Sequence, residues 1–286
     1  MGLRPHVPFW QTTRFQLDLA RPLVMGIVNV TPDSFSDGGQ HDQAASALAR
    51  AERLLKEGAH LLDIGGESSR PGAPALSEEE EWRRIAPVLT ECLRWQVPIS
   101  LDTYKPATMR RALDLGVDII NDIWGLRQPG AVAAVAASAC GVCVMHMHGE
   151  PQTMQLQPLQ GDAVQAVRAF LQERVSVLAA AGVATERIAL DPGVGFGKTV
   201  EQNFSLLAQQ TTLKLPAHPW LVGWSRKSSL GAVTGLDLSQ RLIPSVAAAV
   251  LAVERGAHIV RVHDVAETVA GLAVWQAAHP ICDNRP

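Results

Sequence analysis

One six-residue pattern recurs three times along the chain: Gly58-Ala-His-Leu-Leu-Asp63, Gly116-Val-Asp-Ile-Ile-Asn121 and Gly256-Ala-His-Ile-Val-Arg261. Each glycine follows a helical stretch and stands where a helix C′ residue must take the left-handed conformation. The apolar residues after it then read as a strand ending in a polar tip. Five further apolar runs fit the same role: Leu23 to Val30, Ile99 to Asp102, Val142 to Met147, Ile188 to Asp191 and Trp220 to Ser225. Helical stretches lie between them. Ser77 with Glu80 forms a capping-box pattern, Asp264 with Glu267 forms its acidic counterpart, and Asp162 opens a long amphipathic run that stops at Gly182. Strands without polar alternation are buried on both faces, and alternating β and α units imply a parallel sheet. Eight such units in 286 residues match a closed barrel, which needs roughly 250. The expected fold is therefore α/β, a (β/α)8 TIM barrel forming a single domain over residues 1–286, with residues 1–20 as an N-terminal extension.

Charge and composition narrow the function. Lys and Arg number 25 against 28 Asp and Glu, a net charge of −3, so no bulk field draws in a polyanion and no nucleic-acid partner is expected. No apolar run approaches the roughly 20 residues of a membrane helix. Prolines, arginines and a histidine interrupt Met1 to Gln16, so neither a membrane partner nor a leader is expected, and the chain reads as cytoplasmic. Cys92, Cys140, Cys143 and Cys282 are too scattered to staple a chain of this size and read as reduced, with the Cys140/Cys143 pair in the core.

A barrel collects its chemistry where strands end and loops begin, at the C-terminal face. Asn29, Asp63, Asp102, Asn121, His146, Asp191, Ser225 and the pair Arg261 and His263 end the eight strands in turn. A lone polar tip can equally be a helix cap, and Asp63 reads as well that way. The loops Thr31 to His41 and Gly65 to Leu76 are longer and richer in Gly, Ser and Pro than connectors require, as lids would be. Three other motifs carry less. Gly193-Val-Gly-Phe-Gly-Lys-Thr199 ends like a P-loop, but Pro192 holds the place of that motif's first glycine. His146 and His148 lack a third ligand of matching type. Lys227 could be a Schiff-base lysine, although its neighbours Arg226 and Ser228 favour anion handling, and Arg226 alone reads as a surface or salt-bridging residue.

Eight stretches, in order, resemble the signatures of the dihydropteroate synthase family. They are Met25 to Gly39, Gly66 to Gly72, Leu101 to Lys105, Ile120 to Asp122, Met145 to Met147, Leu190 to Lys198, Ser225 to Ser228 and Val260 to Asp264. The resemblance implies a transferase that condenses 6-hydroxymethyl-7,8-dihydropterin diphosphate with p-aminobenzoate and releases diphosphate. It implies a pterin pocket of Asp102, Asn121, Asp191 and Lys227 with Met145 and Phe196 packed on the ring. The chemistry suits these residues: Asp191 can accept two parallel donors, Asp102 and Asn121 can meet the other ring positions, and Lys227 can donate to the carbonyl. Arg261 and His263, two apart on one strand, point the same way and with Asn29 form a donor cluster for phosphate oxygens. Against this, both could be tied up in an ion pair with Asp264 or Glu267. The family adds Ser69 and Arg70, and a Mg2+ ion contacted by Asn29 with Asp37 completing its site.

The expected mechanism is dissociative. Diphosphate leaves first, stabilised by magnesium, Asn29, Arg261 and His263, while Asp102 and Asp191 support the cationic methylene. The amine of p-aminobenzoate then attacks, its ring against Phe35 and Phe196 and its carboxylate at Ser228. Asp102, Asp191, Lys227, Asp37, Arg261 and His263 are the expected catalytic set. The family also implies a homodimer through late helices, for which the Ala-rich stretch Val246 to Val253 is suited. Two rivals share much of this pattern: a methyltransferase using methyltetrahydrofolate on the same barrel, and a non-catalytic pterin-binding paralogue. Ser69 stands where the family often has threonine, and Trp124 and Trp224 are bulkier than usual, which bears on pocket shape.

Overall fold

The computed structural model describes residues 9–31, 40–68, 75–150, 153–154 and 156–279. The strands are β1 (Phe9–Gln11), β2 (Gln16–Asp18), β3 (Leu23–Asn29), β4 (Leu61–Gly65), β5 (Ile99–Asp102), β6 (Ile119–Asp122), β7 (Gly141–Met145), β8 (Ile188–Asp191), β9 (Leu221–Val222) and β10 (Ile259–Val262). The helices are α1 (Gln40–Lys56), α2 (Glu78–Cys92), α3 (Pro106–Leu115), α4 (Ala131–Ala136), α5 (Ala163–Ala180), α6 (Val200–Ala208), α7 (Gln210–Leu213), α8 (Ser228–Thr234), α9 (Leu242–Glu254) and α10 (Val265–Ala278). Strands β3 to β10 pair in parallel in the order β8-β7-β6-β5-β4-β3-β10-β9. A parallel bridge between Leu190 and Trp220 joins the two ends of that order, so the sheet closes into the expected barrel.

The three glycine corners form as the pattern requires. Gly58, Gly116 and Gly256 have φ of 101°, 96° and 86°. After Gly58, the amide of Ala59 reaches back to the carbonyl of Leu54, closing a Schellman turn. Asp162 caps α5 by accepting from the amides of Val164 and Gln165. The other two caps differ from expectation. Ser77 accepts from the amide of Glu80, but the Glu80 carboxylate pairs with Arg83 and Arg84 instead of returning to the cap. Asp264 stands at the N-cap of α10, but its side chain caps nothing, because its carboxylate is taken by the guanidinium of Arg226.

Alternation along each strand divides the barrel into two sides. Val24, Val28, Leu62, Ile64, Leu101, Val142, Val144, Leu190, Val222 and Val260 face the helices in one large core. Met25, Leu61, Ile119, Cys143, Ala189, Leu221 and Ile259 fill the lumen. Cys92, Cys140 and Cys143 are free and buried; Cys282 lies outside the described residues.

The segment before the barrel, which the sequence leaves without a role, supplies a plug. β1 and β2 pair antiparallel, and Trp10, fully buried, joins the lumen cluster while its indole N–H donates to the Arg187 carbonyl at 2.8 Å. Arg14 then ties this hairpin to the buried carboxylate of Asp118 at 2.6 Å. Trp10→Ala is expected to cost about 3–5 kcal/mol of unfolding free energy, the usual range for deleting a buried large aromatic. Denaturant unfolding reads this directly, and a loss below about 1 kcal/mol would show that the hairpin is not part of the core.

Candidate functional site

The inward positions at the C-terminal ends of the strands are polar where those at the N-terminal ends are apolar. Residues two apart on a strand share a face. Asp63 follows Leu61, Asn121 follows Ile119, Asp191 follows Ala189 and Arg261 follows Ile259, so each lies above a lumen residue of its own strand. The structure joins several of them directly. Arg261 donates through Nε to Oδ2 of Asp63 and through a terminal nitrogen to Oδ2 of Asp102, both at 2.6 Å. Asn121 donates to the same Asp63 oxygen at 3.1 Å. Burial works against the Arg261 charge, but Asp63 and Asp102 outweigh it and hold the guanidinium above its ordinary pKa.

Asp102 feels the converse. Burial pushes its carboxyl well up, the nearby Asp63 adds to this, and Arg261 partly offsets both. Asp191 sits 5% exposed, and Oδ1 accepts the amide of Gly193 at 2.7 Å. Burial raises it to about 6, against the pull of that amide and of Lys227 and Arg261. The Lys227 ammonium lies 4.0 Å from the Phe196 ring centroid, and burial together with Arg261 lowers it to about 8. Met145 and Phe196 belong to one apolar cluster with Ile123, Met147 and Met154, against which Tyr104 and Trp124 pack. Acidic and amide groups, two cationic side chains and an apolar cluster thus gather at the C-terminal ends of the strands.

The Gly193 to Gly197 loop packs closely against β7 and Lys227. Gly193 has φ +67°, and a Cβ there would meet the His146 carbonyl oxygen at 1.8 Å; at Gly195, φ +82°, it would meet Lys227 Cδ at 3.0 Å. Lys198 holds the loop from behind, its buried ammonium donating to the carbonyls of Gly193 at 2.7 Å, Phe196 at 3.1 Å and His146 at 3.4 Å. Burial, and then the neighbouring Lys227, lowers it to about 7. The Gly-Lys-Thr resemblance to a P-loop is therefore superficial: the lysine binds its own loop, and Thr199 caps α6 in a capping box with Gln202.

Other expected positions fall as follows. Asn29 stands exposed at the tip of β3, beside β4. His263 lies just past β10, with Ser225 Oγ 3.0 Å from its Nδ1. It is not in an ion pair with Asp264 or Glu267, and neither is Arg261; Asp264 pairs with Arg226, which is the salt-bridging residue the sequence implied. Ser228 is the first residue of α8, beside Lys227 at the cap. Phe35, Asp37, Ser69 and Arg70 lie outside the described residues. His146 does not face this cluster: β7 ends at Met145, and the His146 ring meets Phe170 of α5 edge-on at 5.0 Å. Burial drops its pKa to about 2, and among the described residues no group of His, Cys, Asp or Glu could hold a metal ion alone. Trp224 packs outward on Phe204, whereas Trp124 stacks on Tyr104 at the rim.

Sequence reasoning counted Asp63 among the polar strand tips without deciding it against a cap, and it gave Lys198 and Lys105 no role. Asp63 is not a cap but the shared acceptor of Arg261 and Asn121. Lys198 fixes the glycine loop. Lys105 pairs with Glu67 and, at 3.6 Å, with Glu81, while Tyr104 donates to Glu67 at 2.8 Å, bracing the ends of β4 and β5 against α2. Strand parity with Asp102 was the available signal for Asp63; nothing local marks the others.

A parallel barrel with a cluster of polar and charged side chains at its C-terminal face has the arrangement of a barrel enzyme. Comparison with known proteins makes this specific. The pterin binding enzyme family matches residues 25–263. A dihydropteroate synthase of Neisseria meningitidis serogroup C is 52% identical over 273 residues, covering 94% of this chain and 96% of its own. The crystal structure of Burkholderia cenocepacia dihydropteroate synthase complexed with 7,8-dihydropteroate matches with a TM-score of 0.87 at 53% identity, over 95% of this chain and 96% of that one. That of Xanthomonas albilineans dihydropteroate synthase with 4-aminobenzoic acid matches at 0.87 and 49% identity, over 93% and 96%. The chain belongs to the pterin binding enzyme family and, within it, to the dihydropteroate synthases, which are transferases.

Proposed function

We propose that this chain condenses 6-hydroxymethyl-7,8-dihydropterin diphosphate with p-aminobenzoate, giving 7,8-dihydropteroate and diphosphate. The observation that carries the reading is the cluster at the strand ends in which Asp63, Asp102, Asn121 and Arg261 are hydrogen-bonded together and Asp191 and Lys227 share their field. The pterin's adjacent ring and amino N–H groups meet Asp191, its remaining positions meet Asp102 and Asn121, and its carbonyl accepts from Lys227. Met145 and Phe196 cover the ring. Arg261 and His263 grip the diphosphate, with Ser69 and Arg70 assigned to it by resemblance. Phe35, Phe196 and Ser228 receive p-aminobenzoate.

In this reading the carbon–oxygen bond to diphosphate breaks before the aryl amine arrives. The methylene cation is delocalised into the pterin, and the carboxylates of Asp102 and Asp191 favour that charge. Arg261 takes up the negative charge of the leaving group. The nitrogen of the p-aminobenzoate amine then bonds to the methylene carbon and gives up one proton to water or to the released diphosphate, so no side-chain nucleophile is required. Magnesium, when bound, supplies further positive charge to the departing diphosphate. Asn29 offers one side-chain oxygen at the rim for it and Asp37 is its expected companion, a sparse set that suits a hard cation keeping several waters.

The reading also includes a homodimer and a cytoplasmic location. Ile243, Leu242 and Leu251 of α9 and Val274 of α10 are exposed apolar side chains on adjacent helices, which a second copy would cover. Buried free thiols at Cys92, Cys140 and Cys143 suit a reducing compartment. No helix among the described residues is long and apolar enough to cross a membrane. The deciding measurement is dihydropteroate formation with diphosphate release, with and without magnesium. Turnover in its presence and little in its absence is expected. Methyl transfer from methyltetrahydrofolate without diphosphate release would replace the reading by the rival barrel activity.

A further inference from the structure

The end of β9 is stitched to the end of β10 by a contact that reaches an imidazole the reading above places at the diphosphate. Ser225 is buried, and its Oγ accepts the backbone N–H of His263 at 3.1 Å while lying 3.0 Å from Nδ1 of the same residue. Arg226, next in the chain, turns away at φ +60° and binds the carboxylate of Asp264, the residue after His263. Arg50 holds the His263 carbonyl. Both sides of the Ser225–His263 contact are therefore fixed by neighbouring bonds.

A hydroxyl has one proton and two lone pairs. If Nδ1 carried a proton, the ring and the backbone amide would both donate into Oγ. The hydroxyl proton would then need a third partner, and among the described residues it has none. If Nδ1 is bare, the hydroxyl donates to it and every proton is used. We propose that Ser225 is a positioning residue that locks His263 in the Nε2–H tautomer, so that the ring presents a donor, not a lone pair, to an oxyanion at the strand ends. Burial, with Arg261 and Arg226 close by, holds His263 down to about 3, so the ring acts as a neutral N–H dipole at neutral pH. The inference rests on the reading that His263 meets the diphosphate, and it adds how an uncharged histidine does so.

The test is the long-range 1H–15N spectrum of the ring nitrogens, with His263 assigned by comparison with His263→Gln, together with the affinity for inorganic diphosphate. The wild type is expected to show the Nε2–H pattern. Ser225→Ala should show mixed tautomers and bind diphosphate about tenfold more weakly, the effect of losing one well-aimed donor to a charged group. Its affinity for a dihydropterin lacking the diphosphate should be unchanged. Ser225→Thr, which keeps the hydroxyl, should restore both signals. An Nδ1–H pattern in the wild type, or a pure Nε2–H pattern in Ser225→Ala, would overturn the lock. Unchanged diphosphate affinity in His263→Gln would instead remove His263 from the diphosphate site while the tautomer is still read from the spectrum.

Discussion

Asp191→Ala is expected to lower kcat/KM for the pterin substrate by about four orders of magnitude, the size of loss seen when a site built to hydrogen-bond a substrate has that pairing removed. The carboxylate ends β8 at 5% exposure, and one of its oxygens already accepts the amide of Gly193 at 2.7 Å. Alanine therefore removes a loop anchor as well as the pterin acceptor. Asp191→Asn separates the two effects. Its side-chain oxygen can still take the Gly193 amide, but its NH2 faces ring donors where an acceptor is needed, so it should fold like the wild type and lose nearly as much activity. The pH profile supplies a second reading. Burial raises Asp191 to about 6, and only the ionised form accepts two donors. The wild-type kcat/KM should thus fall as pH drops below about 6, and that limb should vanish from what remains in Asp191→Asn. An Asn variant within tenfold of wild type would take Asp191 out of the site.

What could be read without coordinates, and what could not, divides by distance along the chain. Ile99 to Asp102 and Ile188 to Asp191 are strands over the full runs expected, because apolar composition and flanking punctuation are local. Trp220 to Ser225 is apolar over a longer stretch than it pairs: Leu221–Val222 is strand, and Trp220 adds a single bridge to Leu190. The chain then leaves the barrel in a turn completed by a left-handed Arg226, a conformation that no residue type there advertises. Val142 to Met147 likewise overshoots, ending as strand at Met145. Asp264 and Glu267 have the spacing of a cap, yet Arg226, 38 residues away, takes the carboxylate. The polar tips were legible as a set because a parallel barrel must gather them on one rim. Which tip bonds which was not: Asp63 and Arg261 are 198 positions apart, and only closure of the barrel brings them together.

Closure also makes Arg261 the residue whose loss should be felt in two independent measurements. Its guanidinium, 22% exposed, lies between the fully buried Asp63 and the mostly buried Asp102. Arg261→Met leaves both carboxylates without their cation. Stripping one partner from a buried pair costs about 3–5 kcal/mol, and the residual exposure of this pair puts the expectation near the lower figure, or a fall in Tm of roughly 5 °C for a chain of this length. The pH dependence has a definite sign. Arg261 lowers the Asp102 pKa, which burial has already raised, so its removal raises that pKa further. An acid whose folded pKa exceeds its unfolded value costs stability when ionised, and the cost disappears as pH falls through the folded pKa towards the unfolded one. The Tm gap between Arg261→Met and wild type should therefore be widest above neutral pH and narrow on acidification. Activity should behave differently, dropping about 10²- to 10³-fold, as for loss of a preorganised group facing developing charge, and staying low at every pH. Adding Asp63→Asn to Arg261→Met removes one stranded charge and should recover stability without recovering turnover. If the double variant regains both, the guanidinium is a structural brace alone, and the leaving diphosphate must be gripped by other residues.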